Sequence, residues 1–219
     1  MICISCGAKV PDITALLMFG LVALGMALTP GPNMIYLISR SISQGRRAGF
    51  VSLGGVALGF LFYMLCAAFG ITAFVFAVPY AYDLLRFGGA AYMLYLAWQT
   101  LKPGGRSAFA VRDLPVDGPR KLFLMGFITN LANPKIAVMY LSLLPQFITP
   151  GHGSVLTQSI SLGCVQILIS VTVNAVIAMM AGSIAGFLAR RPGWVLVQRW
   201  MMGGVLTGLA VKMAWEGKK

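Results

Sequence analysis

Charged residues are scarce in this sequence. Only 10% of its 219 residues are Asp, Glu, Lys or Arg, and only 5 are acidic. A soluble domain carries about 25% charged residues because its surface faces water. With 58% apolar residues, the chain has too few polar side chains to cover such a surface. The composition excludes an ordinary soluble enzyme and favours a membrane protein.

Residues that bind metal ions or perform acid–base catalysis are also scarce. His152 is the only histidine, and no Asp or Glu lies deep inside an apolar run. Cys3 and Cys6 have the spacing of half a zinc site, but no second pair completes four ligands. Hard cations need several anionic oxygens, and softer cations need clustered His or Cys. We therefore expect no metal site, no cofactor and no catalytic residues.

Long apolar runs dominate what the sequence does contain. A helix that crosses a bilayer needs about 20 largely apolar residues. Six runs qualify: 13–41, 48–77, 84–101, 121–148, 155–189 and 194–214. We predict an all-α integral membrane protein, with one six-helix domain over 13–215 between tails at 1–12 and 216–219. A cleaved signal peptide is the alternative for the first run, but prolines stand where its cleavage site would lie.

The excess of positive charge indicates membrane orientation. The chain has 17 Lys and Arg and a net charge of +12, which in a soluble protein would suggest nucleic acid. Eleven of these residues fall near the connections after runs one, three and five: Arg40, Arg46, Arg47, Lys102, Arg106, Arg112, Arg120, Lys121, Arg190, Arg191 and Arg199. Positive residues concentrate in cytoplasmic loops, so both termini are predicted outside the cytoplasm. Because the charges are scattered over helix ends, we expect no nucleic-acid partner.

Prolines divide two of the six runs at corresponding places. Pro30 and Pro32 lie inside the first run, and Pro134 lies inside the fourth. Three spans per half is an odd number, so matching halves predict two inverted three-helix repeats. Proline breaks a helix, and the freed backbone groups are tolerated in a membrane only inside protein or beside a wet cavity. The alternative is a purely structural kink.

Lys135 is the most informative residue, because it follows Pro134 near the middle of the fourth run. Ionisable residues at such a depth usually face the bundle interior and mark a substrate or ion path. The alternative, a side chain that reaches the interface, requires a position closer to the helix end. Asn33, Asn130 and Asn133 supply neutral donors and acceptors nearby. These residues predict a binding site for a small zwitterion.

Several motifs resemble those of a known family. Residues 29–33, Thr-Pro-Gly-Pro-Asn, resemble the signature of the homoserine/threonine exporter family in the lysine exporter superfamily. Residues 126–135 are similar to the family's Asn-Pro-Lys segment, and residues 144–147 to its Pro-Gln-Phe. The resemblance extends over about residues 13–215. It implies an inner-membrane exporter that moves amino acids outward, driven by the proton gradient.

The resemblance also implies a translocation site. Its residues are Pro30, Gly31, Pro32, Asn33, Asn133, Pro134 and Lys135, to which the sequence pattern adds Asn130. We expect a neutral amino acid of the homoserine, threonine or leucine type, because Lys135 would repel a cation and hold a carboxylate. The substrate ammonium would rely on freed carbonyls near Thr29 or Leu131. The two breaks are predicted to act as hinges for alternating access.

Alternatives from other classes stay open. Cys66 and Cys164 occupy loosely comparable places in the two halves, as a membrane thiol–disulfide carrier would require. A metal or ion exporter is a further alternative. Glycine pairs at 55/59, 182/186 and 204/208 favour close helix packing, either within one chain or in a homodimer.

Overall fold

In a computed structural model, the described residues are 11–29, 31–71, 81–102, 115–149, 151, 153–190 and 192–215. Within these ranges the secondary structure is helical, without strands. The helices are α1 (Ile13–Leu28), α2 (Pro32–Gln44), α3 (Arg46–Cys66), α4 (Ala81–Leu101), α5 (Pro119–Leu131), α6 (Pro134–Val138), α7 (Val155–Arg190) and α8 (Pro192–Trp215). Helix α3 continues in a π-helical turn, Ala67–Ile71, and α6 continues through Met139–Leu143 and Leu144–Phe147. Pro30, His152, Cys3 and Cys6 lie outside the described residues.

Two helices are long and apolar enough to cross a membrane on their own, namely Arg46–Gly70 and Val155–Ser183. Helices α1 and α2 meet at 52°, α5 and the extended α6 meet at 50°, and each pair meets the same criterion as one broken span. The described residues therefore contain two to four candidate spans, compared with six expected from the sequence. Helices α4 and α8, with 21 and 24 residues, are not among them. The chain is a multi-pass helical membrane protein.

The core lies where the broken helices meet α3 and α7. Its large buried side chains include Phe19, Leu37, Phe60 and Tyr140. Large apolar side chains also cover the outside of the bundle, where Leu168 and Trp98 are mostly exposed. In water such a surface would aggregate, whereas hydrocarbon tails accommodate it.

Glycines bring α3 and α5 into backbone contact. A Cβ atom on Gly55 would overlap the carbonyl of Phe123, and one on Gly126 would overlap the carbonyl of Ser52. The first predicted glycine pair thus serves packing within this chain. By contrast, a Cβ atom on Gly204 would meet nothing within 4 Å in the described structure.

Candidate functional site

The first helix break separates α1 from α2. Helix α1 ends at Leu28, and the Thr29 hydroxyl donates a hydrogen bond to the Gly25 carbonyl at 2.8 Å. Gly31 is extended, and Pro32 is the first residue of α2. Proline suits this position because the first turn of a helix has no use for its missing N–H. The predicted break is present, although Pro30 itself lies outside the described residues.

The second break separates α5 from α6 by the same local chemistry. Helix α5 ends at Leu131, and Pro134 begins α6. The side-chain oxygen of Asn133 accepts a hydrogen bond from the Lys135 backbone N–H at 3.1 Å. This is a helix N-cap, in which a side chain satisfies an N–H that the helix leaves unpaired. Asn133 therefore has a definite structural role, which the sequence did not reveal.

Lys135 reaches from the second break into the first. Its ammonium donates to the carbonyl of Met26 at 2.9 Å and to that of Thr29 at 2.7 Å. The residue is only 6% exposed. The last carbonyls of a helix carry partial negative charge, so they are suitable partners for a buried cation. A cation from the second half of the chain thereby satisfies carbonyl groups at the end of α1.

Gly31 makes room for this lysine. A Cβ atom at position 31 would lie 3.1 Å from both Cε and Nζ of Lys135, which is closer than van der Waals contact allows without a shift. The backbone of Gly31 has φ −156° and ψ 178°, an extended conformation that any residue adopts. Glycine is required here for space and not for backbone freedom.

The end of α5 also receives a donor from another helix. The Tyr63 hydroxyl donates to the Leu131 carbonyl at 2.8 Å. Together with the Lys135 contacts, this bond occupies the carbonyls expected to receive a substrate ammonium. In this conformation each of those carbonyls already accepts a hydrogen bond from a side chain of the protein.

The three asparagines divide into two groups. Asn33 is the residue after the helix-starting proline of α2, and it lines one small cavity with Lys135. Asn130 and Asn133 are fully buried but are not among the residues that line this cavity. Both amide atoms of Asn33 and of Asn130, and the Asn133 nitrogen, lack a hydrogen-bond partner among the described residues.

The cavity beside Lys135 has a volume of about 20 Å³. Such a space holds about one water molecule, so it is too small for an amino acid. Its polar wall consists of Asn33, Lys135, Gln166, Ser170 and Asn174. Its apolar wall includes Met26, Phe60 and Met139. In this conformation the site therefore has no room for an amino acid.

The polar wall contributed by α7 is absent from the sequence-based prediction. Gln166, Ser170 and Asn174 are four residues apart, which places them on one helix face. The Tyr140 hydroxyl donates to the Gln166 side-chain oxygen at 2.6 Å, and the Gln166 nitrogen donates to the Ser170 hydroxyl at 2.9 Å. The spacing of polar residues in an otherwise apolar run is the pattern that could have identified this face.

The cysteines proposed as a redox pair are both free. Cys66 is half-buried, and Cys164 is exposed. The Cys164 sulfur lies 4.0 Å from the sulfur of Met64. Among the described residues there is also no group of three His, Cys, Asp or Glu side chains arranged to hold a metal ion.

A second buried charge lies away from the cavity, at the far end of α2. Arg40 forms a salt bridge with Asp117 at 2.7 Å, and both side chains are almost fully buried. Lys121 contacts the other carboxylate oxygen at 2.6 Å. The hydrogen bond from Lys121 holds the pKa of the Asp117 carboxyl below its ordinary value of 3.8, and the Arg40 charge lowers it further. From the sequence, Arg40 was expected at the end of the first run, near the connection that follows it, and its pairing with Asp117 was not predicted.

The fold and the site define a class: a multi-pass helical membrane protein in which two broken helices meet at a buried lysine. The family follows from comparison with known sequences. Residues 24–217 match the model of the LysE type translocator family, and the chain belongs to this family. At this level the protein is a membrane translocator and not an enzyme.

Individual relatives are more distant. An uncharacterized membrane protein of Pseudomonas aeruginosa is 27% identical over 85% of this chain and 88% of its own length. The leucine efflux protein of Salmonella choleraesuis is 31% identical over 58% of this chain and 59% of its own length. The uncharacterized membrane protein YahN of Escherichia coli is 31% identical over 52% of each chain. No solved structure matches.

Proposed function

We propose that this protein is a secondary-active exporter of small neutral amino acids, of the homoserine, threonine or leucine type, in the bacterial inner membrane. The observation that carries the proposal is the Lys135 ammonium, which is buried where both broken helices meet and lines a small cavity together with polar side chains of α2 and α7. Membership of a translocator family and a relative named leucine efflux protein support the substrate class. The proton gradient is the proposed energy source.

Lys135 is the proposed partner of the substrate carboxylate. Its ammonium has three N–H donors, and the two carbonyls at the end of α1 use two of them. The start of α2 at Pro32 adds unpaired backbone N–H groups and the positive end of a helix dipole. Asn33 lies beside this helix start, while Asn130 and Asn133 add polar groups near the second break.

The proposed architecture has six spans in two inverted repeats. Exchanging the halves would relate α1 to α5, and α3 to α7. The contacts between α1 and α7 and those between α3 and α5 are exchanged by this operation, while α4 and α8 pack on each other. The similar bends of 52° and 50°, each followed by a helix-starting proline, support the same relationship.

Alternating access is the proposed mechanism, with the two breaks as hinges. The cavity of about 20 Å³ must widen before an amino acid enters. Because Lys135 links the second half of the chain to α1 of the first half, separating those elements would free the ammonium for a carboxylate. We also propose that the basic connections face the cytoplasm and that both termini face outward.

Efflux of radiolabelled leucine, threonine and homoserine from loaded proteoliposomes tests the function. We expect the native chain to release at least one of them faster when a proton gradient is imposed. Lys135→Met should lower that rate at least 10-fold, because charge-assisted hydrogen bonds contribute about 1.5–3 kcal/mol each. Arg47→Gln is the control for loss of a positive charge, since that arginine is exposed. Native rates in the Lys135 variant would refute the proposed site.

A further inference from the structure

We propose that Asn174, together with Asn33, forms the subsite that recognises the ammonium group of the transported amino acid. This inference rests on the proposed function and adds a residue from α7 to the site. A zwitterionic amino acid carries an ammonium group as well as a carboxylate. Among the described residues that line the cavity, the only charged one is Lys135, which is itself a cation and would repel that ammonium.

The backbone carbonyls at the two helix breaks do not solve this problem. The Met26 and Thr29 carbonyls accept hydrogen bonds from the Lys135 ammonium, and the Leu131 carbonyl accepts one from Tyr63. If Lys135 moves to a substrate carboxylate while keeping one of its two carbonyls, it releases only the other carbonyl at the end of α1. An ammonium has three N–H groups to satisfy, so further acceptors are needed.

Asn174 provides an acceptor whose direction is defined by its other hydrogen bond. The Asn174 side-chain nitrogen donates to the backbone carbonyl of Ser170 at 2.7 Å. A carbonyl only accepts hydrogen bonds, so the nitrogen must be the atom on that side and the amide oxygen must point away. That oxygen has no partner in the described structure, although the residue is only 4% exposed and lines the cavity.

Asn33 completes the subsite from α2. It is 5% exposed, lines the same cavity, and has no partner for its oxygen or its nitrogen among the described residues. A buried polar atom without a partner is costly, so a native structure that keeps several together around one cavity has a use for them. Two amide oxygens suit an ammonium, and the Asn33 nitrogen can contact the carboxylate held by Lys135.

Hydrogen bonds hold the polar face of α7 in position. Gln166 is fixed between Tyr140 and the hydroxyl of Ser170, and Ser170 lies about one helical turn before Asn174. An acceptor on a rigid helix recognises a ligand more strongly than one that must first be ordered. The subsite therefore favours α-amino acids over analogues in which the ammonium is replaced by hydroxyl.

Calorimetric titration of the purified full chain in detergent tests the subsite. The probes are leucine and threonine, each compared with its α-hydroxy acid analogue. In the native protein we expect the amino acid to bind at least 10-fold more tightly than the hydroxy acid. Asn174→Leu should weaken amino-acid binding about 10-fold while changing hydroxy-acid binding less than about 2-fold.

Two further variants separate recognition from structural damage. Asn174→Gln keeps an amide nitrogen for the Ser170 carbonyl and an acceptor oxygen, so it should retain more of the amino-acid binding than Asn174→Leu does. Ser159→Ala, at a buried hydroxyl of α7 that donates to Val155 in its own helix, should leave both ligands unchanged.

The outcomes are distinct. If Asn174→Leu weakens the binding of both ligands equally, or if Asn174→Gln binds the amino acid no better than Asn174→Leu does, the ammonium subsite is wrong while amino-acid export stands. If the native protein binds neither amino acid and the efflux assay is also negative, the proposed function fails, and the subsite fails with it.

Discussion

At the scale of the residue, the dipoles of backbone carbonyls stabilise a buried cation. Removing an ammonium from water is costly unless hydrogen bonds and opposite charge replace the lost hydration. The described residues that line the cavity include no carboxylate, and the Lys135 ammonium donates its hydrogen bonds to the Met26 and Thr29 carbonyls. Dipolar partners are weaker than an ionised carboxylate, and a substrate carboxylate is therefore able to compete for the same ammonium.

Asn133 should matter first for stability. Asn133→Ala removes the N-cap of α6, which costs about 0.5–2 kcal/mol in comparable helices. Asn133→Ser and Asn133→Thr keep a capping oxygen without adding a charge, so they should retain most of the native stability. Thermal unfolding of the three variants in one detergent measures the difference. Equal losses in all three would show that the cap is not the cause.

Gly31 should matter for the position of the lysine. Gly31→Ala places a Cβ atom 3.1 Å from the Lys135 ammonium, so it should displace that group from the α1 carbonyls. We expect efflux to fall by roughly 3- to 10-fold, which corresponds to about 0.6–1.4 kcal/mol. Gly88→Ala is the control, because nothing in the described structure lies within 4 Å of a Cβ atom there. Native efflux by the Gly31 variant would contradict the tight packing.

At the scale of the element, the breaks and the close packing of helices depend on small local features. Each break has a proline as the first residue of the following helix, Pro32 or Pro134. Each preceding helix ends in carbonyls that a side chain from a different helix satisfies. Between the breaks, glycine allows α3 and α5 to approach until their backbones touch. These elements keep the two breaks adjacent.

Gly55→Ala should separate α3 from α5. The added methyl group would overlap the Phe123 carbonyl, which as backbone cannot rotate away. Overpacking of this kind costs about 1–3 kcal/mol. Gly204→Ala adds the same methyl group where nothing lies within 4 Å in the described structure, so it should be nearly neutral. Melting temperatures of the two variants measure the contrast, and similar losses would refute the α3–α5 assignment.

At the scale of the whole molecule, a salt bridge joins the two halves at a second point. Arg40 lies on α2, and Asp117 immediately precedes α5. Arg40 also donates to the Pro115 carbonyl at 3.1 Å, and the Gln44 side chain donates to the Asp117 carbonyl at 3.1 Å. Lys135 and this cluster thus connect the same two parts of the chain at separate places. Relative movement of the halves has to change one or both.

Acidification should loosen this second connection. The pKa of the Asp117 carboxyl is lowered in the folded protein, so its contribution to stability is complete above the ordinary pKa of about 4 and is lost as pH falls through the lowered folded value. Asp117→Asn should melt at a lower temperature than the native protein at pH 7, and the difference should shrink toward pH 3. Lys121→Gln, at an exposed partner, should have a smaller effect. A difference independent of pH would contradict this role for the carboxylate.

Local rules account for the features that the sequence predicted well. Proline restricts its own backbone and lacks an N–H, so the breaks before Pro32 and Pro134 follow from residues within one helical turn. A lysine in the middle of an apolar run must be buried because hydrocarbon cannot hydrate it, and Lys135 is buried. The apolar composition likewise predicted a helical membrane protein, because only helices and closed barrels satisfy the backbone inside a bilayer.

The partners of these residues depend on tertiary structure, because they lie far apart in the chain. Nothing near Lys135 indicates that its ammonium binds α1, and nothing near Arg40 indicates Asp117. The role proposed for Asn174 likewise requires α7 to pack against the first break with its polar face toward the cavity. Backbone preferences extend over about one turn, whereas side-chain partners are chosen when helices pack. The amino-acid order therefore determined where the helices break and which cation is buried, and the packing decided what that cation and its neighbouring amides contact.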